Sequence, residues 1–383
     1  MAFSRNIRPL RPRLVSAEAS LRPTRAEVDL DAIAHNLDVI RGVASDSAVL
    51  AVVKADGYGH GAVPVAQRLE AEGVAGFGVA LAEEGFELRE AGIASEILVL
   101  NGVYGGAYDE VIAMDLTPVI YDLSEVRAFA EAAGGRKVAF HLKVDTGMSR
   151  LGVQLPHLEA FLEGLRAYPN MMVAGLMTHL AAADSDEKYT HEQLRSFQRA
   201  RQMLRCFGHT PKVIHAANTA ATFCHPSSRF DWVRPGVALF GYTGVAGVGE
   251  ALRPAMRIRS EVISLRDIEA GGTVGYGRSF RAERETRVAT IPVGYADGFM
   301  RQVSDRAHVL VAGVRCPVIG NVSMDLTAVD VTDCGPVMIG QEVVLLGEQG
   351  GARIDANELA QASRTIPYEV LTSVSRRVPR FVE

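Results

Sequence analysis

Cysteine is scarce in this sequence: Cys206, Cys224, Cys316 and Cys334 are the only four, and none forms a C-x-x-C pair. That excludes a disulfide framework and leaves no cysteine-based zinc motif. The ten histidines fall in no H-E-x-x-H or comparable spacing, so no metal is expected. An excess of either charge is lacking too. The net of −5 is small, with both signs mixed, and leaves no footprint for nucleic acid. No apolar run approaches the roughly 20 residues a bilayer-spanning helix needs, so no membrane partner is expected. Neither G-x-G-x-x-G nor G-x-x-x-x-G-K-[ST] follows a strand-like run, which removes the dinucleotide and P-loop readings. Residues 1–21 are rich in arginine but lack the uninterrupted apolar stretch of a secretory signal. They read as a basic N-terminal tail, with a transit peptide as the alternative, and the protein reads as cytoplasmic.

What is present is a repeating pattern. Short apolar runs near 49–53, 76–80, 97–101, 117–121, 138–144, 172–178, 212–216 and 230–234 have the composition of buried strands. Segments of helical periodicity lie between them, such as Leu158/Phe161/Leu162/Leu165, and Ile33/Leu37/Ile40 precedes the first. Eight alternations predict a (β/α)8 barrel over 22–254, with a doubly wound sheet as the competitor. The pattern changes at Arg253-Pro254. Beyond it, strand-like runs at 256–265, 287–292, 308–311, 315–319, 326–331 and 342–346 precede helical patterns near 356–362 and 368–374. These predict a mainly β C-terminal domain over 255–383.

In such a barrel the chemistry gathers at the C-terminal ends of the strands. The first run delivers Lys54 into a glycine-rich turn, Lys54-Ala-Asp-Gly-Tyr58-Gly-His-Gly61. Poor solvation there favours a neutral, nucleophilic amine of the kind that condenses with a carbonyl. Tyr58 offers a hydroxyl to an anion. Later strand ends add Lys143-Val-Asp145-Thr-Gly-Met-Ser-Arg150, Thr178-His179, Asn218-Thr219 and Arg234-Pro-Gly236-Val237. The last of these opens a helical turn whose free N–H groups suit a phosphate, where barrels commonly hold one. Two lysines, two arginines and hydroxyl donors at one end point to a cofactor bearing both a phosphate and a carbonyl.

These residues resemble the alanine racemase family from about Arg22 to Arg380. The motifs that carry the likeness include A-V-V-K-A-D-G-Y-G-H-G, H-L-K-V-D-T-G-M-S-R-L-G, M-T-H-L, H-A-A-N-T-A, V-R-P-G-V-A-L-F-G, G-Y-G-R-S-F, V-S-M-D and I-P-Y-E-V. The resemblance implies a barrel followed by a β domain, pyridoxal 5'-phosphate as cofactor, and interconversion of L- and D-alanine for peptidoglycan. It implies that Lys54 carries the cofactor and is one of two acid/base groups, with Tyr276 the other. Tyr58, Thr219, Gly236, Val237 and Tyr368 then surround the phosphate. Arg234 faces the pyridine nitrogen, supported by His179 and Asn218, and Leu100 packs near the ring. Arg150 and the Met324 backbone address the substrate carboxylate, and Lys143 matches a lysine that is often carbamylated. A head-to-tail homodimer with shared active sites is implied as well. The sequence departs from the family pattern at Thr219, where serine is common, at Leu180, where an aromatic is common, and at Asn321, where arginine is frequent. A serine racemase, a barrel-fold decarboxylase and a single-domain cofactor carrier remain as alternatives. Arg234 disfavours the decarboxylase and the β domain disfavours the carrier.

Overall fold

The computed structural model describes residues 21–382; the basic tail expected at 1–21 lies outside them except for Leu21. The chain divides into two compact units, one of Leu30–Ala255 and one of Met256 onward together with the described residues before Leu30.

In the first unit eight strands form a closed parallel barrel: β1 (Ala48–Val52), β2 (Gly76–Val79), β3 (Glu96–Val99), β4 (Thr117–Ile120), β5 (Val138–Asp145), β6 (Met171–Met177), β7 (Val213–Asn218) and β8 (Trp232–Arg234). Closure has two seams. Val119 and Ile120 of β4 pair with His141 and Leu142 of β5, and Trp232 and Val233 of β8 pair with Ala48 and Val49 of β1. All eight expected strands are present. The strands are apolar throughout because both faces are covered, by helices outside and by one another's side chains inside. Leu50, Leu98, Val119, Met177 and Trp232 pack together as a layer, so the interior is filled rather than hollow.

The outer ring of helices borrows its first member from upstream. Helix Leu30–Ala44 buries Ile33, Leu37 and Ile40, spaced to form one stripe. It packs beside both helix Ala62–Ala71 and helix Thr219–Cys224. Asn36 on the same stripe is fully buried and fully used. Its amide donates to the Leu239 and Arg253 carbonyls at 3.0 and 2.8 Å, and its oxygen accepts from Arg253 N–H at 2.7 Å. A buried amide so satisfied fixes one register for the helix against the end of the barrel chain.

The second unit is mainly β. One sheet runs in the order Val314–Pro317, His308–Val311, Glu342–Gln349, Met256–Glu261, Arg25–Val28 and Arg380–Val382. Another joins Ser264–Ile268, Thr286–Ile291 and Thr327–Asp330. Helices Ala356–Ser363 and Pro367–Ser373 fall where helical patterns were read. Two details differ from the sequence reading. The run at 256–265 is two strands in two sheets, since Val262 N–H donates to Gln341 and Ile263 N–H to Thr290, which pulls successive residues apart. Arg25–Val28, counted above with the barrel, pairs antiparallel with Met256–Glu261 and parallel with Arg380–Val382. Both pairings are remote in sequence, so no local pattern reveals them.

Candidate active site

Lys54 leaves β1 through Val53 and enters a turn of unusual hand. Ala55, Asp56, Gly57 and Tyr58 all have φ between 53° and 59°, a single left-handed helical turn. A left-handed residue with a side chain costs roughly 1–2 kcal/mol, so three in one turn, Ala55, Asp56 and Tyr58, need external support. That support comes from carboxylates. Glu84 accepts from Ala55 N–H at 2.6 Å and, through its other oxygen, from Ala80 N–H at 2.7 Å. Asp56 accepts from Ala62 N–H at 2.9 Å, closing the turn onto the next helix. Neither carboxylate was singled out from the sequence. Glu84 had one legible signal, its place three residues into a helix that opens directly after a strand.

The turn brings Tyr58 against Gly236. A Cβ built on Gly236 would overlap Tyr58 Oη and come 2.9 Å from its Cζ, so only glycine admits the phenol here. Gly236 N–H donates to Thr219 Oγ1 at 3.0 Å, which places two hydroxyls and the backbone of Gly236 side by side. Val237 opens the short helical turn Val237–Phe240, whose first N–H groups have no carbonyl ahead of them. Thr219 is positioned by Asn218, the last residue of β7. The Asn218 side chain accepts from Ala221 N–H at 3.0 Å, capping helix Thr219–Cys224, and donates to the Leu180 carbonyl at 3.1 Å. This donor set of hydroxyls and backbone N–H groups, with no carboxylate among the bonds that build it, fits a phosphate.

Arg234, at the end of β8, is almost wholly buried. Its Nη2 donates to the Thr178 and Ala216 carbonyls at 2.7 and 3.0 Å, and its Nη1 lies 3.0 Å from His215 Nδ1. Burial lowers its pKa to about 9, which leaves it a cation at neutral pH. Lys143 points into the same mouth from β5, and its Nζ lies 3.4 Å from the Leu100 carbonyl. Burial, then Arg234, Arg150 and Lys54, bring its amine down to about 8, against the opposing pull of Asp145. Lys54 is lowered as well, first by burial and then by Arg150, with Glu84 acting the other way. Burial and the same cations hold His179 well below its usual range, so it is neutral. Leu100 lies over Gly78 of β2, where an added Cβ would approach its Cδ1 to 3.1 Å. Arg150 stands exposed in the loop after β5, which Asp145 ties by accepting from Gly147 and Ser149 N–H groups at 3.0 Å.

Eleven of the residues singled out above thus gather at the C-terminal mouth of the barrel: Lys54, Tyr58, Leu100, Lys143, Arg150, His179, Asn218, Thr219, Arg234, Gly236 and Val237. The other three belong to the second unit. Tyr276 stands exposed in a turn between Gly275 and Gly277, both with positive φ, and its carbonyl accepts from Asn321 Nδ2 at 2.7 Å. The Met324 carbonyl accepts from Ala296 N–H at 3.0 Å. Tyr368 is in helix Pro367–Ser373. Among the described residues no cluster of histidine, cysteine, aspartate or glutamate could hold a metal, and no helix is long and apolar enough to cross a membrane.

A (β/α)8 barrel with two lysines of lowered pKa and an anion cradle at its mouth, followed by a β domain, defines the class of the molecule. Comparison with known proteins narrows it. Residues 28–244 match the family model for the alanine racemase N-terminal domain, and residues 255–382 match that for the alanine racemase C-terminal domain. An alanine racemase of Sorangium cellulosum is 50% identical over 376 residues, covering 94% of this chain and 99% of that protein. Alanine racemase of Bacillus anthracis with bound L-Ala-P superposes with a TM-score of 0.89 at 34% identity, covering 95% of this chain and 96% of that one. Alanine racemase of Bartonella henselae with covalently bound pyridoxal phosphate gives a TM-score of 0.87 at 30% identity, covering 94% and 99%. The chain belongs to the alanine racemase family.

Proposed function

We propose that this protein interconverts L- and D-alanine with pyridoxal 5'-phosphate held on Lys54, and that it supplies D-alanine for cell-wall peptide from the cytoplasm. The observation that carries the reading is the position of Lys54. Its amine lies on a rigid left-handed turn, lowered by burial and by Arg150, beside a cradle of donors suited to phosphate. Bound there, the cofactor supplies an electron sink for the pair left behind when the substrate α-carbon loses its proton.

The protein's own groups do the rest. Tyr58, Thr219, Gly236 and Val237, with Tyr368 from the second unit, hold the phosphate. Leu100 packs against the ring, and Arg234 addresses the ring nitrogen with His179 and Asn218 in support. A guanidinium cannot hand a proton to that nitrogen at neutral pH, so the sink stays shallow and the returned proton goes back to the α-carbon. Arg150 and the Met324 backbone orient the substrate carboxylate. Lys54 moves the proton on one face and Tyr276 on the other, which is what inversion requires.

We further propose a head-to-tail homodimer in which Tyr276 and Met324 reach the site from the second copy. Lys143 is proposed to be carbamylated: a buried amine brought down to about 8 among three cations gains by becoming an anion beside Arg150. The test is chiral analysis of L-alanine incubated in D2O with the protein and pyridoxal phosphate, beside Lys54→Ala. The expected result is α-deuterated D-alanine with the intact lysine alone. Absence of both D-alanine and α-deuterium refutes the assignment, and the same assay on serine measures breadth.

A further inference from the structure

Two histidines lie deeper in the barrel than the mouth residues, and the chemistry above leaves their purpose open. His141 of β5 and His215 of β7 are buried at 1% and 0% exposure. They form a chain with groups at either end of the barrel. Arg234 Nη1 lies 3.0 Å from His215 Nδ1, His215 Nε2 lies 2.8 Å from His141 Nδ1, and His141 Nε2 lies 3.6 Å from Glu96 Oε1. The last distance is a charge–dipole contact rather than a hydrogen bond. Glu96 opens β3, so its carboxylate sits at the N-terminal end of the barrel, partly exposed.

Only one arrangement of protons satisfies this chain. A guanidinium donates and never accepts, so His215 Nδ1 must be bare and its proton on Nε2. That proton needs an acceptor, which makes His141 Nδ1 bare and puts the His141 proton on Nε2, turned toward the carboxylate. Burial and the Arg234 charge keep both imidazoles neutral, with His141 pushed down to about 3. Both hydrogen bonds and the closing charge–dipole contact therefore point from the cation to the anion, an alignment in which neighbouring groups polarise one another.

The barrel is shaped around this chain. Pairing between β5 and β6 slips at Phe140/His141, so that His141 lies opposite Gly175. A Cβ on Gly175 would come within 2.5 Å of His141 Cε1 and Cγ, so the imidazole fills the space of a missing side chain. Trp232 covers both rings, with centroids 5.7 and 5.8 Å away.

We propose that Glu96 and His141 are positioning residues that act through His215 to hold and orient the Arg234 guanidinium, with the Glu96 oxygen fixing the direction of the chain from its far end. The proposal rests on the reading that Arg234 addresses the cofactor ring nitrogen. Loosened, Arg234 lets a proton reach that nitrogen, and the deeper sink diverts alanine into amino transfer. In that side reaction the alanine nitrogen passes to the aldehyde carbon of the cofactor. The α-carbon is oxidised and leaves as pyruvate, its keto oxygen supplied by water, while the aldehyde carbon is reduced to an aminomethyl group.

The test compares holoenzyme carrying Glu96, Glu96→Leu or Glu96→Gln, a site exposed enough to change without opening the core. Two-bond 1H–15N correlation spectra of histidine-labelled protein report the ring nitrogens of His141 and His215. Pyruvate released per racemisation turnover reports diversion. Glu96→Leu is expected to shift the resonances of both rings and to raise the pyruvate ratio about tenfold, the equivalent of about 1.4 kcal/mol between competing barriers. Glu96→Gln, whose amide oxygen still accepts, is expected to restore both. Cofactor affinity, set at the phosphate cradle, should hold in all three. Unchanged His215 resonances in Glu96→Leu overturn the relay. Shifted resonances with an unchanged pyruvate ratio support the relay and overturn the reading of Arg234 at the ring nitrogen.

Discussion

Replacing Gly236 by alanine tests the phosphate cradle by adding one methyl group. The new Cβ would overlap Tyr58 Oη and lie 2.9 Å from Cζ and 3.4 Å from Cε2, so the phenol must swing away. The obstruction is the far end of a rotatable side chain rather than backbone, and Gly236 φ is negative, so the fold is expected to survive. What is lost is the Tyr58 hydroxyl as a donor to a charged group, worth about 1.5–3 kcal/mol. Pyridoxal phosphate should then bind the apoenzyme roughly 10- to 150-fold more weakly. Fluorescence titration measures this directly, with unphosphorylated pyridoxal as the control, whose affinity should not move. Tyr58→Phe should match the loss, and the double variant should add little because both changes remove one donor. Equal affinity of Gly236→Ala and wild type for the phosphorylated cofactor would refute the cradle, as would an equal loss for pyridoxal.

The remaining predictions concern charge, assembly and the second unit. Protonated Lys143 is disfavoured in the folded state, so its cost is absent above pH 10.5 and complete below about 8, reaching about 3 kcal/mol. In CO2-free buffer at neutral pH, Lys143→Met should therefore be more stable to urea than wild type. Bicarbonate should stabilise only the wild type, and a wild type indifferent to bicarbonate would argue against carbamylation. Lys54→Ala and Tyr276→Phe should each abolish racemisation, while co-expression of the two should recover about a quarter of wild-type activity if sites are shared between copies. No recovery would place both groups in one subunit's site. In the second unit, Asp297 is buried and accepts from Arg22 Nη1 at 2.8 Å and from Gly294 N–H at 3.0 Å, with Arg377 Nε at 3.3 Å. Asp297→Ala should cost about 1–2 kcal/mol in a denaturation experiment, because Gly294 N–H loses its acceptor and the partly exposed Arg22 its carboxylate, while Arg377 keeps Asp325.

The barrel strands were legible because each is a short apolar run closed by a turn, and their ends supplied ten residues of the mouth, with Leu100 coming from the family resemblance alone. The left-handed turn was not. Ala55 and Asp56 carry no sign of positive φ, which is imposed by the Glu84 and Asp56 carboxylates bonding to backbone elsewhere. The Glu96–His141–His215 chain was hidden for a different reason. Its histidines lie inside the barrel and Glu96 at the end opposite the mouth, and their spacing in sequence says nothing of it. Gly175 gives no clue alone, since a glycine in a strand becomes informative only when the imidazole opposite is known.

The pairing of Arg25–Val28 has a consequence for how the chain is made. On the ribosome this strand emerges before the barrel, yet its antiparallel neighbour follows more than two hundred residues later and its parallel neighbour, Arg380–Val382, more than three hundred and fifty later. The barrel lies between, complete in itself between Leu30 and Ala255, and can close while the first strand waits with both edges bare. The β unit, by contrast, is finished only when segments from both sides of the barrel in sequence pair.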